Sequence, residues 1–324
     1  MSSIDGSLEL IMTDVHLEAD GVISIAFADP AGRDLPQWQP GAHLELVLPS
    51  GLLRQYSLCG RPEDRKQYKV AVLHQPAGRG GSRELHETGL VGRRIRVNGP
   101  RNHFALKPSP RYVFIAGGIG VTPILSMARA VGDTAPWRLH YGGRSRASMA
   151  FVDELQGFGG DRVDISPQDV HGLLDIDGIV ATADASTAIY CCGPAALLDA
   201  VQEARERLAP EAALYFERFA AAHPDSRLDA VPAGGERPFV VELRRSGRTV
   251  EIAPDRSALD VIREVVPGMP YSCTEGYCGS CEVAVLDGTP DHRDEILTPE
   301  ERARGRTMFP CVSRALSERL VLDV

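Results

Sequence analysis

Three of the chain's 7 cysteines, Cys273, Cys278 and Cys281, stand together in SCTEGYCGSCEVAV, and Cys311 follows after a long gap. The pattern is C-x4-C-x2-C with a distant fourth thiol, the plant-type spacing for a 2Fe–2S cluster, in which four thiolates hold two irons. Gly276 and Gly279 allow the loop to fold back so that backbone N–H groups approach the sulfurs. A structural zinc site is the competing reading, but such sites usually pair two C-x2-C knuckles and only one is present. A disulfide pair is a third reading, disfavoured by compartment: cysteines odd in number and uneven in spacing point to a cytosolic site rather than a stapled secreted scaffold. The chemistry this spacing supports is transfer of one electron at a time.

Glycine-rich turns supply a second kind of chemistry. In GGIGVTPILSM, residues 117–127, a turn between strand and helix lets backbone approach a pyrophosphate closely. YCCGPAALL, 190–198, forms an equivalent turn at another strand end, and ligands gather at such ends in doubly wound sheets. In GRGGSRELH, 78–86, Gly80, Gly81 and Ser82 either form a phosphate nest at a helix N-terminus or a plain flexible loop. Arg144, Ser145 and Arg146 follow a strand and either touch an adenosine ribose, with or without a 2′-phosphate, or form a solvated basic patch.

These residues need elements to position them, and the chain reads as a multidomain protein. Residues 1–106 alternate with period two, as in AHLELVLP, where Leu44, Leu46 and Leu48 fall on one face and His43 and Glu45 on the other. Short strands broken by Gly and Pro predict an antiparallel β-barrel. Residues 107–220 alternate strand and helix, the rhythm of an α/β doubly wound parallel sheet; Thr122 is expected to cap one helix with Pro123 at its first position, and Pro194 to open another. Residues 221–238 read as a linker. Residues 239–324 form a small separate domain: a hairpin turning at Ser246-Gly247, a helix capped by Ser257, the cysteine loop, and a capping box at Thr298.

The composition is 43% hydrophobic and 24% charged, ordinary for a globular protein. A net charge of −9 argues against nucleic acid or an anionic membrane as the main partner. No stretch approaches a membrane span and no secretory leader is visible at the N-terminus, so the reading is a cytoplasmic protein.

RQYSLCG, 54–60, resembles the R-x-Y-S flavin motif of the ferredoxin–NADP reductase superfamily, and the two glycine turns followed by FERF are similar to its nicotinamide half. The order barrel, nicotinamide domain, ferredoxin resembles the phthalate dioxygenase reductase family, as do DHRDEILTPEE and MFPCVSRA. That resemblance implies a C-terminal β-grasp ferredoxin domain, FMN reduced by NADH, and single electrons passed through the 2Fe–2S centre to a Rieske-type oxygenase or O-demethylase of aromatic catabolism. It implies that Arg54, Gln55, Tyr56 and Ser57 lie on the flavin strand, with Ala71, Val72 and Leu73 on the next. Gly80, Gly81 and Ser82 fall on the phosphate loop, and Gly117, Gly118, Gly120 and Thr122 on the turn between flavin and nicotinamide. Cys192, Gly193 and Pro194 fall at the nicotinamide, and Phe219 where an aromatic ring stacks on the isoalloxazine.

The electron count is consistent with this: nicotinamide delivers two electrons as hydride, a cluster accepts one, and a flavin converts between them. No general acid, nucleophile, or Rieske-type Cys–His motif is evident, so the chain reads as an NAD(P)H-dependent reductase rather than a terminal oxygenase. NADPH remains an alternative to NADH, and a cytochrome P450 an alternative acceptor. A monomer with a transient oxygenase contact is expected. Asp287, Asp291, Asp294 and Glu295 either steer that contact or only confer solubility.

Overall fold

The structure is a computed structural model that describes residues 7–78, 80–219, 237–271, 273–274, 276–294 and 296–324. Most of the expected linker, residues 221–236, and Glu295 lie outside the described residues. The chain forms two compact units, Met1–Phe219 and Ala220–Val324.

The first unit opens with β1 (Ser7–Ala19), β2 (Val22–Ala28), β3 (His43–Val47), β4 (Leu53–Ser57), β5 (Tyr68–Leu73), α1 (Gly81–Glu87) and β6 (Arg94–Arg101). The six strands pair antiparallel in the order β4-β3-β6-β1-β2-β5, and a bridge between Leu58 and Val70 joins the two ends into a barrel. Leu44, Leu46, Val70 and Val72 fill its interior, as their alternation predicts. The polar face of β3 departs from expectation: His43 and Glu45 are 5% and 1% exposed, because β3 is covered on both sides. Glu45 is compensated there by a hydrogen bond from Asn98 Nδ2 at 2.9 Å.

The rest of this unit is β7 (Arg111–Gly117), α2 (Val121–Val131), β8 (Trp137–Gly143), α3 (Val152–Gly159), β9 (Val163–Pro167), α4 (Gln168–His171), α5 (Ile176–Val180), β10 (Thr187–Gly193), α6 (Ala195–Leu208) and β11 (Ala213–Arg218). The strands are parallel in the order β11-β10-β7-β8-β9. The central strand shows why the sheet is wound on both sides. Tyr112, Phe114 and Ala116 of β7 pack with α2 and α3, while Val113 and Ile115 pack with α5 and α6. Helix α2 begins earlier than expected. Gly118–Gly120 form a 3-10 turn that runs straight into it, so Gly120 occupies the cap position. The Thr122 hydroxyl is therefore not a cap; it donates to the Ile119 carbonyl at 3.0 Å. Pro194 is itself the cap residue of α6, one position ahead of the helix it was expected to open.

The second unit contains β12 (Phe239–Leu243), β13 (Arg248–Ile252), α7 (Ala258–Val265), β14 (Val283–Asp287), β15 (Pro290–Asp291), α8 (Pro299–Arg304), β16 (Thr307–Met308), β17 (Arg314–Ala315) and β18 (Arg319–Leu322). Its main sheet has the order β13-β12-β18-β14-β16, with β12 and β18 parallel and the other pairs antiparallel. This is a β-grasp arrangement, with α7 laid on the sheet through Leu259 and Ile262. Ser257 caps α7 by accepting from Asp260 N at 3.1 Å, and the Thr298–Glu301 capping box opens α8.

Candidate functional site

In the first unit the two expected glycine turns meet. A β-carbon at Gly117 would stand 2.8 Å from Pro194 Cδ and 3.4 Å from Gly193 Cα, and one at Gly120 would stand 2.2 Å from the Cys192 carbonyl oxygen. Only glycine permits this approach. The turns at the C-terminal ends of β7 and β10 thus pack against each other, at the end of the sheet where ligands of doubly wound sheets bind. Thr122 is buried beside it, and Gly118 has a φ of 55°.

The flavin strand reaches the same place. Ser57, the last residue of β4, is 5% exposed and hydrogen-bonds the side chain of Glu217. Glu217 stands opposite Cys192 in the β10–β11 register. Burial pushes the Glu217 carboxyl up to about 8, against the opposing effect of the Ser57 bond, and its Oε2 is sealed from solvent with no hydrogen-bond partner. The Cys192 thiol is held well above its ordinary value by burial first, then by Glu217 and Cys191. Sequence reasoning missed Glu217. Its signal lay in FERF, where Glu217 directly follows Leu214, Tyr215 and Phe216 on the strand.

The phosphate-loop residues and Arg54 also converge. Arg54 lies across Gly81, where a β-carbon would meet its Nε at 2.5 Å. Gly80 takes a φ of 87° ahead of α1, and the Ser82 hydroxyl accepts from Gln75 N at 3.0 Å. Tyr56 packs on the barrel core, and Gln55 pairs with Glu45 across β3–β4. Ala71 and Val72 of β5 are buried and Leu73 is partly buried. Phe219 follows β11 and is 36% exposed, unusual for a large aromatic. Arg144 and Ser145 follow β8, the neighbour of β7 on the side away from β10. Arg146, part of the same basic cluster, is committed elsewhere: its guanidinium pairs with Asp153 at 3.0 Å.

In the second unit the four cysteines gather. Cys273, Cys278, Cys281 and Cys311 are 3%, 8%, 3% and 6% exposed, and Cys273 N donates to Cys278 Sγ at 3.3 Å. The Cys311 thiol touches those of both Cys273 and Cys281. The Cys278 thiol is held up by the Cys273 side chain first and by burial second. Among the described residues no three His, Cys, Asp or Glu side chains converge as ligands of a single metal ion. The donor set, four buried soft thiols, suits an iron–sulfur cluster. Gly276 and Gly279 turn the loop with φ of 78° and 75°. Gly276 also lies against Asp294: a β-carbon there would stand 3.2 Å from Asp294 Cα. Asp294 is 2% exposed and accepts from Leu297 N at 2.9 Å, so it braces the loop from inside and is no steering charge.

A parallel sheet with paired glycine turns, an adjoining barrel and a four-thiol β-grasp unit define a modular electron-transfer reductase. Residues 241–316 match the family model described as "2Fe-2S iron-sulfur cluster binding domain". The chain is 45% identical over 309 residues to phenoxybenzoate dioxygenase subunit beta of Ectopseudomonas oleovorans, covering 94% of each. Among solved structures it is similar to phthalate dioxygenase reductase, described as a modular structure for electron transfer from pyridine nucleotides to [2Fe–2S]. There the TM-score is 0.69 and the identity 36%, with 98% of each chain covered. It is also similar to a type IV self-sufficient cytochrome P450 monooxygenase, with a TM-score of 0.88 and 41% identity, but 98% of this chain spans only 41% of that one. The chain belongs to the phthalate dioxygenase reductase family of oxygenase-system reductases. It is an NAD(P)H oxidoreductase, and the family's cofactors are FMN, NADH and a 2Fe–2S cluster. Among the described residues no helix is long and apolar enough to cross a membrane.

Proposed function

We propose that this chain is the cytoplasmic, monomeric reductase of a Rieske-type aromatic oxygenase or O-demethylase, taking hydride from NADH and delivering single electrons by transient contact. The observation that carries the reading is the close packing of the Gly117–Gly120 and Cys192–Pro194 turns beside the Ser57–Glu217 bond. The reading divides the chain into an FMN barrel (1–106), a nicotinamide domain (107–220), a linker (221–238) and a ferredoxin domain (239–324).

Arg54 and the Gly80–Ser82 backbone hold the FMN phosphate, the guanidinium through charge-assisted bonds and the loop through its N–H groups. Tyr56 and Phe219 would supply aromatic faces for the isoalloxazine, and Gln55, Ser57 and Ala71–Leu73 would lie beside it. When bound, the flavin supplies the conversion between two-electron and one-electron transfer. Gly117, Gly118, Gly120, Thr122, Cys192, Gly193 and Pro194 would present closely packed backbone to the nicotinamide, with Gly120, Thr122, Cys192 and Gly193 buried. Arg144 and Ser145 serve the adenosine end. Burial raises the Glu217 carboxyl to about 8, which favours its neutral form beside the flavin strand. Cys273, Cys278, Cys281 and Cys311 ligate the cluster.

Full-length similarity to reductase components of dioxygenase and O-demethylase systems favours an oxygenase acceptor over a P450. The test is anaerobic stopped flow. NADH should bleach the flavin, and a reduced 2Fe–2S EPR signal should follow; flavin that NADH leaves oxidised refutes the reading. With the cognate oxygenase, transfer out of the cluster should slow with added salt while flavin reduction changes little.

A further inference from the structure

We propose that Arg129 is a positioning residue for hydride transfer, holding the flavin strand at a set distance from the nicotinamide turns. The inference rests on the functional reading above. It concerns a residue two positions beyond the GGIGVTPILSM turn and helix start, outside the residues assigned to the cofactors.

The first turn of α2 grows out of the Gly118–Gly120 turn, and its last turn carries Arg129. The Arg129 side chain is only 14% exposed. Its Nη1 donates to the carbonyl of Cys59 at 2.8 Å and to that of Gly60 at 3.1 Å. Its Nη2 pairs with the carboxylate of Glu154 on α3, and the guanidinium lies 5.9 Å from the centre of the Phe158 ring. One planar cation thus gathers two backbone carbonyls of the barrel and one carboxylate of the α/β layer. Such a fork fixes direction as well as distance.

What it holds is the exit of the flavin strand. Cys59 and Gly60 follow Ser57 by two and three residues, and Leu58 between them is fully buried and bridged to Val70. The segment 57–60 is therefore tied at both ends. Ser57 bonds to Glu217 on β11, and Cys59–Gly60 bond to Arg129 on α2. Met127 of the same helix also seats against Gly41, where a β-carbon would stand 2.9 Å from its Cε. Other contacts between barrel and sheet, such as Asp20 N to the Ala147 carbonyl at 2.8 Å, fasten the β1–β2 turn instead. A helix is stiff along its axis, so the Arg129 anchor sets where β4 ends relative to the turn that α2 grows from. Hydride transfer requires near-contact geometry, and a displacement of about 1 Å can cost on the order of 100-fold in rate.

The test is Arg129→Ala, Arg129→Lys and Glu154→Gln in the full-length, cofactor-loaded protein. The readouts are flavin content, thermal midpoint, NADH dissociation constant, limiting rate of flavin reduction, NADH–flavin charge-transfer absorbance, and primary isotope effect with deuterated NADH. The expectation for Arg129→Ala is a limiting rate lower by about 10- to 100-fold, a weakened charge-transfer band, a larger isotope effect and a nearly unchanged NADH dissociation constant. Lysine, a point charge without the fork, should rescue only in part, and Glu154→Gln should give a smaller drop in the same direction. If Arg129→Ala does not fold, Arg129→Lys and Glu154→Gln carry the same comparison. Variants that fold with lowered thermal midpoints but keep the wild-type rate, band and isotope effect overturn the proposal and leave Arg129 a structural clamp. Wild-type flavin that NADH fails to reduce refutes the functional reading, and the inference falls with it.

Discussion

Replacing Glu217 with glutamine should make the first unit more stable, and increasingly so as the pH rises. The Glu217 carboxyl is raised from an ordinary 4.5 to about 8 by burial, with Oε2 sealed and unpartnered. Below about pH 4.5 folded and unfolded chains both hold the proton, and the group's stabilising contribution is fully present. Between there and pH 8 the unfolded chain releases the proton while the folded one keeps it, so stability falls as pH rises and the contribution is lost above pH 8. A gap of about 3.5 in pKa at about 1.4 kcal/mol each gives a ceiling of about 5 kcal/mol. Glutamine keeps an acceptor for the Ser57 hydroxyl and does not titrate. The assay is urea unfolding of both proteins across pH 5 to 9, followed by tryptophan fluorescence. The chain has 2 tryptophans, Trp38 and Trp137, both buried in the first unit, so the signal reports that unit alone. The Glu217→Gln midpoint should move ahead of wild type by on the order of 1–2 M urea between the ends of that range. A midpoint difference that stays constant with pH refutes the reasoning, because Glu217 would then ionise as an ordinary carboxylate.

Three further outcomes are expected. Cys278→Ser should lose the cluster's visible absorbance and EPR signal while NADH still reduces the flavin; loss of both in a folded protein contradicts the modular reading. Gly276→Ala should lower cluster occupancy, measured as iron and sulfide per chain, because its φ is 78° and the added carbon would stand 2.7 Å from Val312 Cγ2; full occupancy would show that the loop yields. Arg144→Ala should lower kcat/KM for NADH, because it removes a group at the adenosine end, with NADH preferred over NADPH in the wild type; a wild-type NADPH preference that collapses in the variant would instead make Arg144 a 2′-phosphate clamp.

What the sequence determined by itself is whatever depends on neighbours along the chain. The spacing of Cys273, Cys278 and Cys281 specifies its chemistry because one short loop must wrap a cluster. The caps at Ser257 and Thr298 were legible for the same reason: donor and acceptor lie three residues apart. The glycine turns announced a close backbone approach but not to what. Only the tertiary structure put Gly120 against the Cys192 carbonyl, Ser57 against Glu217, and Arg129 against Cys59 and Gly60. It also reversed local expectations. Period-two alternation placed Glu45 in water, yet it is 1% exposed and bonded by Asn98; charge placed Asp294 on the surface, yet it is buried against the cysteine loop. Alternation and charge report what a residue prefers when one side is open. Which side is open is decided by elements far away in the chain, and that is why the proton-holding carboxyl and the guanidinium anchor became visible only in the fold.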